Sequence, residues 1–146
     1  MNLKNIKISV IGLGYVGLPL AIEFGKLFDV VGFDINQVRV NQLKNFNDSN
    51  REVLLKDFKK SKKISFSSDI SKIKDSNIYI ITVPTPINKY NKPDLSILKE
   101  ACKMIGKIIK FGDFIIFEST VYPGLTNNFA VPLLERYSKL KLNKGF

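Results

Sequence analysis

The stretch KISVIGLGYVG, residues 7–17, decides the fold, because a short apolar run leads directly into three closely spaced glycines. Residues 7–11 have the composition of a buried strand, and the apolar spacing of the residues after the glycines is typical of a helix. Gly12 suits a tight turn, Gly14 leaves the backbone open to close approach, and Gly17 permits close packing of helix against strand. A strand, a glycine-rich turn and a helix in this order predict the first unit of an α/β fold.

The same alternation of short apolar runs and longer amphipathic runs continues along the chain. Strands are predicted at 7–11, 30–33, 64–66, 78–83 and 114–117, and helices at 15–28, 36–46, 52–60, 95–110 and 126–137. Pro132 lies inside the last helix and predicts a kink or a local break there. Regular alternation with short links predicts a Rossmann-like, doubly wound parallel sheet in a three-layer α/β fold. Such a sheet normally has a sixth strand, so we expect residues 1–146 to be one domain truncated before the last strand.

Composition places the chain among globular proteins of ordinary size. It has 146 residues, of which 45% are hydrophobic and 25% charged, which suits a single core-forming domain. The start of the chain lacks the features of a signal peptide, and no run is long and apolar enough to span a bilayer. We therefore expect a cytoplasmic protein with no membrane partner. A single cysteine excludes an internal disulfide, and the absence of histidine excludes histidine ligands, so no metal site is predicted.

The net charge of +10 raises the alternative of a nucleic-acid partner. One set of lysines recurs at helical spacing opposite an apolar stripe: Lys99, Lys103, Lys107 and Lys110. Residues 59–63 hold a second set, near a predicted helix end, where cations complement the helix dipole. Aromatic and basic residues are not interleaved as they are in single-strand binders. We therefore interpret the charge as a solvated surface and predict no nucleic-acid partner.

The glycine turn also predicts a binding site for a dinucleotide, since the N-terminus of the following helix offers free N–H groups to a pyrophosphate. The alternative is a glycine-rich turn that binds nothing. Asp34 ends the second strand, where a carboxylate accepts hydrogen bonds from the adenosine ribose and repels a 2′-phosphate. NAD is therefore favoured over NADP. Asp34 also precedes a helix, so the alternative is that it caps this helix, and the two roles can hold at once. Arg39 either reaches toward the adenosine or is a solvated helix residue.

Two further loops follow predicted strands at the edge of the sheet where ligands bind in such folds. In residues 83–86 two prolines stiffen the backbone, and Thr85 is expected to present its hydroxyl to the cofactor. The hydroxyls of residues 118–124 are expected near the nicotinamide. Ordinary turn chemistry is the alternative for either loop alone, but both together beside a dinucleotide fingerprint favour a site. Cys102 lies on an apolar helix stripe and is predicted to be an inert packing residue.

These segments resemble the N-terminal NAD-binding domain of the UDP-glucose/GDP-mannose dehydrogenase family. The segments that carry the resemblance are residues 10–21, 31–34 with Arg39 and Val40, 82–86, 92–96 and 118–124. Asp48 followed by Glu52 and Val53, and Ile87 after the Pro-Thr-Pro loop, resemble the branch that acts on UDP-N-acetylhexosamines. That branch includes the UDP-N-acetylgalactosamine and UDP-N-acetylglucosamine 6-dehydrogenases of capsule, Vi-type and O-antigen synthesis.

The resemblance implies a double oxidation of a sugar C6 alcohol to a carboxylate, with two NAD reduced per turnover, in surface polysaccharide biosynthesis. It implies that the pyrophosphate is cradled by Gly12, Gly14, Tyr15, Val16 and Gly17. Asp34 and Arg39 would hold the adenosine ribose region. The rest of the cofactor path would be lined by Val83, Pro84, Thr85 and Thr120. Thr120 would also act as an auxiliary catalytic residue that positions water.

Chains of this family continue beyond the cofactor domain into a central dimerising helix and a substrate domain that holds the catalytic cysteine. Both lie outside residues 1–146. The resemblance therefore implies a UDP-sugar substrate and a homo-oligomer, a dimer, for the complete enzyme. We expect the chain alone to be inactive and to bind NAD weakly at best. The alternative is a stand-alone NAD-sensing or regulatory module without catalysis, against which the complete 118–124 loop argues.

Overall fold

The computed structural model describes residues 5–87 and 89–146. Its first half contains β1 (Lys7–Ile11), α1 (Gly17–Phe24), β2 (Asp29–Phe33), α2 (Gln37–Lys44), α3 (Leu55–Lys60) and β3 (Ile64–Ser67). The second half contains a 3₁₀ turn (Ile70–Ile73), β4 (Ile78–Ile81), α4 (Ser96–Gly106), β5 (Phe114–Phe117), a π-helical turn (Thr126–Ala130) and α5 (Val131–Ser138). The predicted bounds of the first and last strands are confirmed, whereas every helix is shorter than predicted.

The strands form a single five-stranded sheet in the order β3-β2-β1-β4-β5, and every pairing is parallel. The central strand β1 has β2 on one side, with Ile11 opposite Phe33, and β4 on the other, with Ile11 opposite Ile81. Strand order therefore reverses at β1, and the carboxyl end of that strand opens into the crevice where such sheets bind ligands. The predicted Rossmann-like, doubly wound fold is confirmed.

A hydrophobic core lies on each face of the sheet. On one face, residues of α1, α2 and α3, such as Leu18, Val40 and Phe58, pack against the sheet. On the other, residues of α4 and α5, such as Leu98 and Leu134, do the same. Strand β4 contributes to both cores, because Ile80 belongs to the first and Tyr79 and Ile81 to the second. The predicted three-layer arrangement is confirmed.

Pro132 lies at a local irregularity, as its position in the sequence predicts. The chain makes a π-helical turn that ends at Ala130, and α5 begins at Val131 with the proline in its first turn. A proline is tolerated there because the first N–H groups of a helix have no intrahelical acceptor.

Helix α3 begins at Leu55, three residues after its predicted start. The N–H groups of Glu52 and Val53 donate instead to the Asp48 carboxylate, at 2.7 and 3.0 Å. A side chain thus stabilises a turn where the apolar spacing alone predicts helix.

No helix within the described ranges combines the length and the apolar character needed to cross a bilayer.

Candidate cofactor site

The glycine turn has the geometry that its sequence predicts. The N–H of Gly12 donates to the Phe33 carbonyl at 2.8 Å, and Gly12 has a φ of +96°, which favours glycine. A Cβ added to Gly17 would lie 1.8 Å from the Gly12 carbonyl oxygen, so helix and turn touch backbone to backbone. A Cβ on Gly14 would meet no atom within 4 Å. Gly12 and Gly17 therefore build the turn, while Gly14 faces open space.

The start of α1 presents free N–H groups to that space. Val16 is the N-cap residue, and no side chain caps the helix. Within the described part of the chain, the N–H groups of residues 14–17 donate to no protein acceptor. The side chains of Tyr15 and Val16 are exposed and leave the helix end open. Unpaired N–H groups and the positive end of the helix dipole suit a pyrophosphate.

Asp34 ties the end of β2 to the glycine turn. Its Oδ2 accepts the N–H of Leu13 at 2.9 Å, and its Oδ1 accepts the N–H of Asn36 at 2.9 Å. The alternative interpretation of Asp34 as the helix cap is wrong. Asn36 is the N-cap residue of α2, and its Oδ1 accepts the N–H groups of Val38 and Arg39. Asp34 stays half-buried at the crevice with a negative charge beside the turn.

Arg39 is buried beneath the glycine turn, so the alternative of a solvated helix residue is wrong. Its Nε donates to the Leu13 carbonyl at 3.0 Å, and its Nη1 lies 2.7 Å from Asp48 Oδ1 and 3.2 Å from Ser49 Oγ. Nη2 is also buried, and no acceptor among the described residues contacts it. The guanidinium therefore joins α2 to the turn.

Asp48 is a member of this site that sequence reasoning did not include, since the resemblance gave it only as a marker of one family branch. Its side chain is 1% exposed. Burial tends to raise the pKa of this carboxyl, but the ion pair with Arg39 and the N–H groups of Val53, Glu52 and Asn50 together hold it below its ordinary value of 3.8. The group is therefore a buried carboxylate that stays ionised.

Thr82 is a second member that the sequence did not reveal. Its buried Oγ1 lies 3.0 Å from the Ile11 carbonyl oxygen and 2.7 Å from that of Gly12. The same oxygen lies 2.4 Å from the point where a Gly17 Cβ would sit. The end of β4 is thus bonded to the glycine turn. A hydroxyl directly after the buried strand β4 is the one feature of the sequence that marks this position.

The loops after β4 and β5 are bonded to each other. Ser119 Oγ donates to the Val83 carbonyl at 2.6 Å, and Thr85 Oγ1 donates to the Thr120 carbonyl at 2.7 Å. The Thr85 hydroxyl proton is therefore directed at the neighbouring loop, whereas the sequence predicted that the hydroxyl would face the cofactor. Pro84 and Thr120 are exposed on this side, whereas Val83 is buried. Through Thr82 and Gly12, the structure brings the two loops and the glycine turn to one edge of the sheet.

Cys102 lies away from this edge, on the buried face of α4. It is fully buried, and burial raises the pKa of its thiol to about 12. The thiol is therefore neutral at physiological pH and packs as a small apolar side chain, as predicted.

This arrangement fits a dinucleotide: a glycine turn with open space over Gly14, an uncapped helix N-terminus and a carboxylate at the end of the second strand. The comparisons with known proteins agree with it. Residues 6–146 match the sequence profile described as the UDP-glucose/GDP-mannose dehydrogenase family, NAD binding domain. The chain belongs to this family. NAD is the cofactor of the matched domain.

Relatives in the family are similar over nearly the whole chain. The UDP-N-acetyl-D-glucosamine 6-dehydrogenase of Salmonella typhi is 49% identical over 145 residues, which are 99% of this chain and 34% of the relative. Protein CapL of Staphylococcus aureus is 46% identical, over 97% of this chain and 33% of its own length. The chain thus spans about one third of the length of these two relatives.

Solved structures of the family have the same fold. The UDP-D-ManNAc dehydrogenase of Pyrococcus horikoshii superposes with a TM-score of 0.86 at 33% identity, over 97% of this chain and 34% of that one. A ternary complex of GDP-mannose dehydrogenase from Pseudomonas aeruginosa superposes with a TM-score of 0.83 at 27% identity, over 92% of this chain and 33% of that one.

Proposed function

We propose that this chain is the cofactor-binding part of an NAD-dependent dehydrogenase that oxidises C6 of a UDP-N-acetylhexosamine to the uronic acid. The observation that carries the proposal is the juxtaposition of an open glycine turn, the Asp34 carboxylate and two mutually bonded loops at one edge of the sheet. The name of the Salmonella typhi relative, a UDP-N-acetyl-D-glucosamine 6-dehydrogenase, supports the choice of sugar.

In this proposal the glycine turn receives the pyrophosphate through the N–H groups of residues 14–17, because these donors have no acceptor among the described residues and the space over Gly14 is open. Asp34 accepts hydrogen bonds from the adenosine ribose hydroxyls and excludes a 2′-phosphate. Arg39 supports the adenosine side from beneath the turn. When bound, NAD supplies the hydride acceptor, and the protein supplies the pocket and its orientation.

In this proposal the two bonded loops contact the nicotinamide end of the cofactor. Thr120 is exposed at the carboxyl end of β5, and we propose that its hydroxyl positions water near the reacting carbon. The hydrogen bond from Thr85 to the Thr120 carbonyl fixes the backbone of that residue. Val83 and Pro84 then form the wall of the cofactor path next to it.

Catalysis itself requires more than these groups. The described residues offer one thiol, Cys102, and it is buried and protonated. We propose that the cysteine that traps the sugar aldehyde belongs to a substrate domain of the kind implied by the family resemblance, so that the 146-residue chain alone does not turn over sugar. We also propose a cytoplasmic homo-oligomer that acts in surface polysaccharide biosynthesis. The exposed Phe114 and Ile116 on the edge strand β5 favour self-association.

A chimera tests this proposal. The matched third of the Salmonella typhi dehydrogenase is replaced by this chain, which is possible because the two are 49% identical over 99% of the chain. We expect NADH to form with UDP-N-acetyl-D-glucosamine, with two NADH for each sugar consumed. NADP is expected to replace NAD poorly. The same chimera carrying Gly14→Ala is the control, since it should fold but lose the cofactor.

The proposal would be contradicted by a folded chimera that binds NAD but forms no NADH with any UDP-sugar. That result would favour an NAD-sensing module instead. A chimera that oxidises UDP-glucose faster than the N-acetylated sugars would retain the reaction class and reject the proposed substrate class.

A further inference from the structure

We propose that Asp48 is a positioning residue for the cofactor: it holds the Arg39 guanidinium against the Leu13 carbonyl and so fixes the glycine turn in its binding shape. This inference rests on the NAD site proposed above. It concerns a residue 31 positions after Gly17 in sequence (48 − 17), which no motif of the turn includes.

Leu13 is held at both its backbone N–H and its backbone carbonyl. Asp34 Oδ2 accepts the Leu13 N–H at 2.9 Å, and Arg39 Nε donates to the Leu13 carbonyl at 3.0 Å. Leu13 lies between Gly12 and Gly14, and glycine is the residue type with the greatest backbone freedom. Because the two peptide groups that join Leu13 to these glycines are both held, the conformations open to the whole turn are limited.

The orientation of the Arg39 side chain depends on the groups that bind its guanidinium. An arginine side chain has several rotatable bonds and is ordered only when its guanidinium is well bound. Asp48 Oδ1 lies 2.7 Å from Nη1, and Ser49 Oγ, which itself donates to Gln42, lies 3.2 Å from it. Nη2 is buried without an acceptor among the described residues, which costs free energy. The pair with Asp48 is what keeps Nε directed at Leu13 despite that cost.

The Asp48 carboxylate is itself held in place by backbone N–H groups. Oδ1 accepts the N–H of Asn50 at 3.1 Å, and Oδ2 accepts those of Glu52 and Val53 at 2.7 and 3.0 Å. The two side chains of the ion pair are 9% and 1% exposed. A pair this well buried is screened little by salt, and removal of one partner leaves a buried charge uncompensated. The route from the 48–53 turn to the glycine turn is therefore a chain of short, directed contacts.

The test compares Asp48→Asn with Asp113→Asn in the 146-residue chain. Asp113 is the matched control, since its carboxylate is also buried and accepts a backbone N–H, that of Lys110, at 2.7 Å. It precedes β5 and thus lies at the end of the sheet opposite the crevice. NAD affinity is measured by calorimetry and global stability by thermal unfolding. Hydrogen exchange is followed by NMR at the amides of Gly12 and Leu13, which donate to Phe33 and Asp34 in the intact turn.

We expect Asp48→Asn to weaken NAD binding by about tenfold or more and to accelerate exchange in the glycine turn. Asp113→Asn should leave both of these quantities unchanged, whatever its effect on the unfolding temperature. Arg39→Lys is the second variant: it retains a charge beside Asp48 but cannot offer Nε to Leu13, so it should accelerate exchange in the turn even where Asp48→Asn fails to fold.

The inference is overturned if folded Asp48→Asn and Arg39→Lys chains show unchanged exchange at the amides of Gly12 and Leu13, or if the Asp113→Asn control weakens NAD binding equally. Failure of the unmodified chain to bind NAD would contradict the proposed cofactor function instead. In that case hydrogen exchange, which needs no cofactor, still decides whether Asp48 fixes the turn.

Discussion

At the scale of single residues, the two glycines that flank Tyr15 and Val16 have different roles. Gly17 is required for packing, because a Cβ there would lie 1.8 Å from the Gly12 carbonyl oxygen. Gly14 is required by no contact within the protein, because a Cβ there would meet nothing within 4 Å. We propose that the space over Gly14 is kept free for a bound ligand.

We therefore expect Gly17→Ala to lower the free energy of unfolding by about 3 kcal/mol, the upper end of the usual cost of overpacking. Gly14→Ala should leave the free energy of unfolding nearly unchanged and abolish NAD binding. Urea denaturation and calorimetric titration of the two variants measure these effects. A Gly14→Ala chain that binds NAD normally would mean that the pyrophosphate lies elsewhere.

We propose that Asp34 carries the selectivity for NAD over NADP. The substitution Asp34→Asn removes the negative charge but keeps an oxygen that can accept the Leu13 N–H, so the turn should persist. We expect the preference for NAD over NADP to fall by about tenfold, the size of one lost charge-assisted hydrogen bond. Competition binding with both cofactors gives the ratio. Asp29→Asn, at the exposed opposite end of β2, serves as control, and an unchanged ratio in Asp34→Asn would assign selectivity to another residue.

At the scale of elements, α4 illustrates how burial sets the chemistry of a side chain. Cys102 lies on its buried face, and the pKa of the thiol is raised to about 12 by burial. We expect no reaction with a thiol reagent in the native chain and rapid reaction in denaturant. Absorbance of the released thiolate follows the reaction, with Cys102→Ala as the blank. Rapid labelling of the native chain would show that α4 opens readily or that the thiol is accessible.

The elements also show what sequence can predict here. The first strand, the glycine turn and β5 followed from local patterns, because apolar runs and special backbone angles are properties of neighbouring residues. The start of α3 and the cap of α2 did not. Asp48 diverts the N–H groups of Glu52 and Val53, and Asn36 outcompetes Asp34 for the cap. Both outcomes depend on which of several nearby side chains accepts the backbone N–H groups in the folded chain.

The residues of the candidate site were likewise predictable only where their roles depend on local sequence patterns. Its glycines and Asp34 were identified because their roles depend on position along one βαβ unit. Asp48 and Thr82 were not, since their links to the turn are contacts that only the folded chain creates. Asp48 reaches the turn through Arg39, and Thr82 donates to the Ile11 and Gly12 carbonyls from a distant part of the chain. Arg39 was identified as one of two alternatives, and its burial by the 48–53 turn decided between them.

At the scale of the whole molecule, the buried ion pair links stability to pH. The folded-state pKa of Asp48 lies below its ordinary value of 3.8, so the unfolded chain takes up a proton at higher pH than the folded chain does. The stabilising contribution is therefore present above 3.8 and is lost as the pH falls below that value through the folded-state pKa.

We expect Asp48→Asn to be clearly less stable than the unmodified chain at about pH 7, and the difference to shrink at about pH 3. Free energies of unfolding from urea denaturation at both values measure it. Comparison with the variant removes the contributions of the other carboxyl groups, which both chains share. A difference that stays constant, or grows, as the pH falls would contradict an ionised, stabilising Asp48.

Calorimetric titration of the 146-residue chain with NAD, and with NADP in parallel, measures whether this fold binds the cofactor. We expect saturable binding of NAD, at least about tenfold tighter than that of NADP, and no binding to the Gly14→Ala variant. The absence of NAD binding up to about millimolar concentration, or a preference for NADP, would contradict the proposed NAD site.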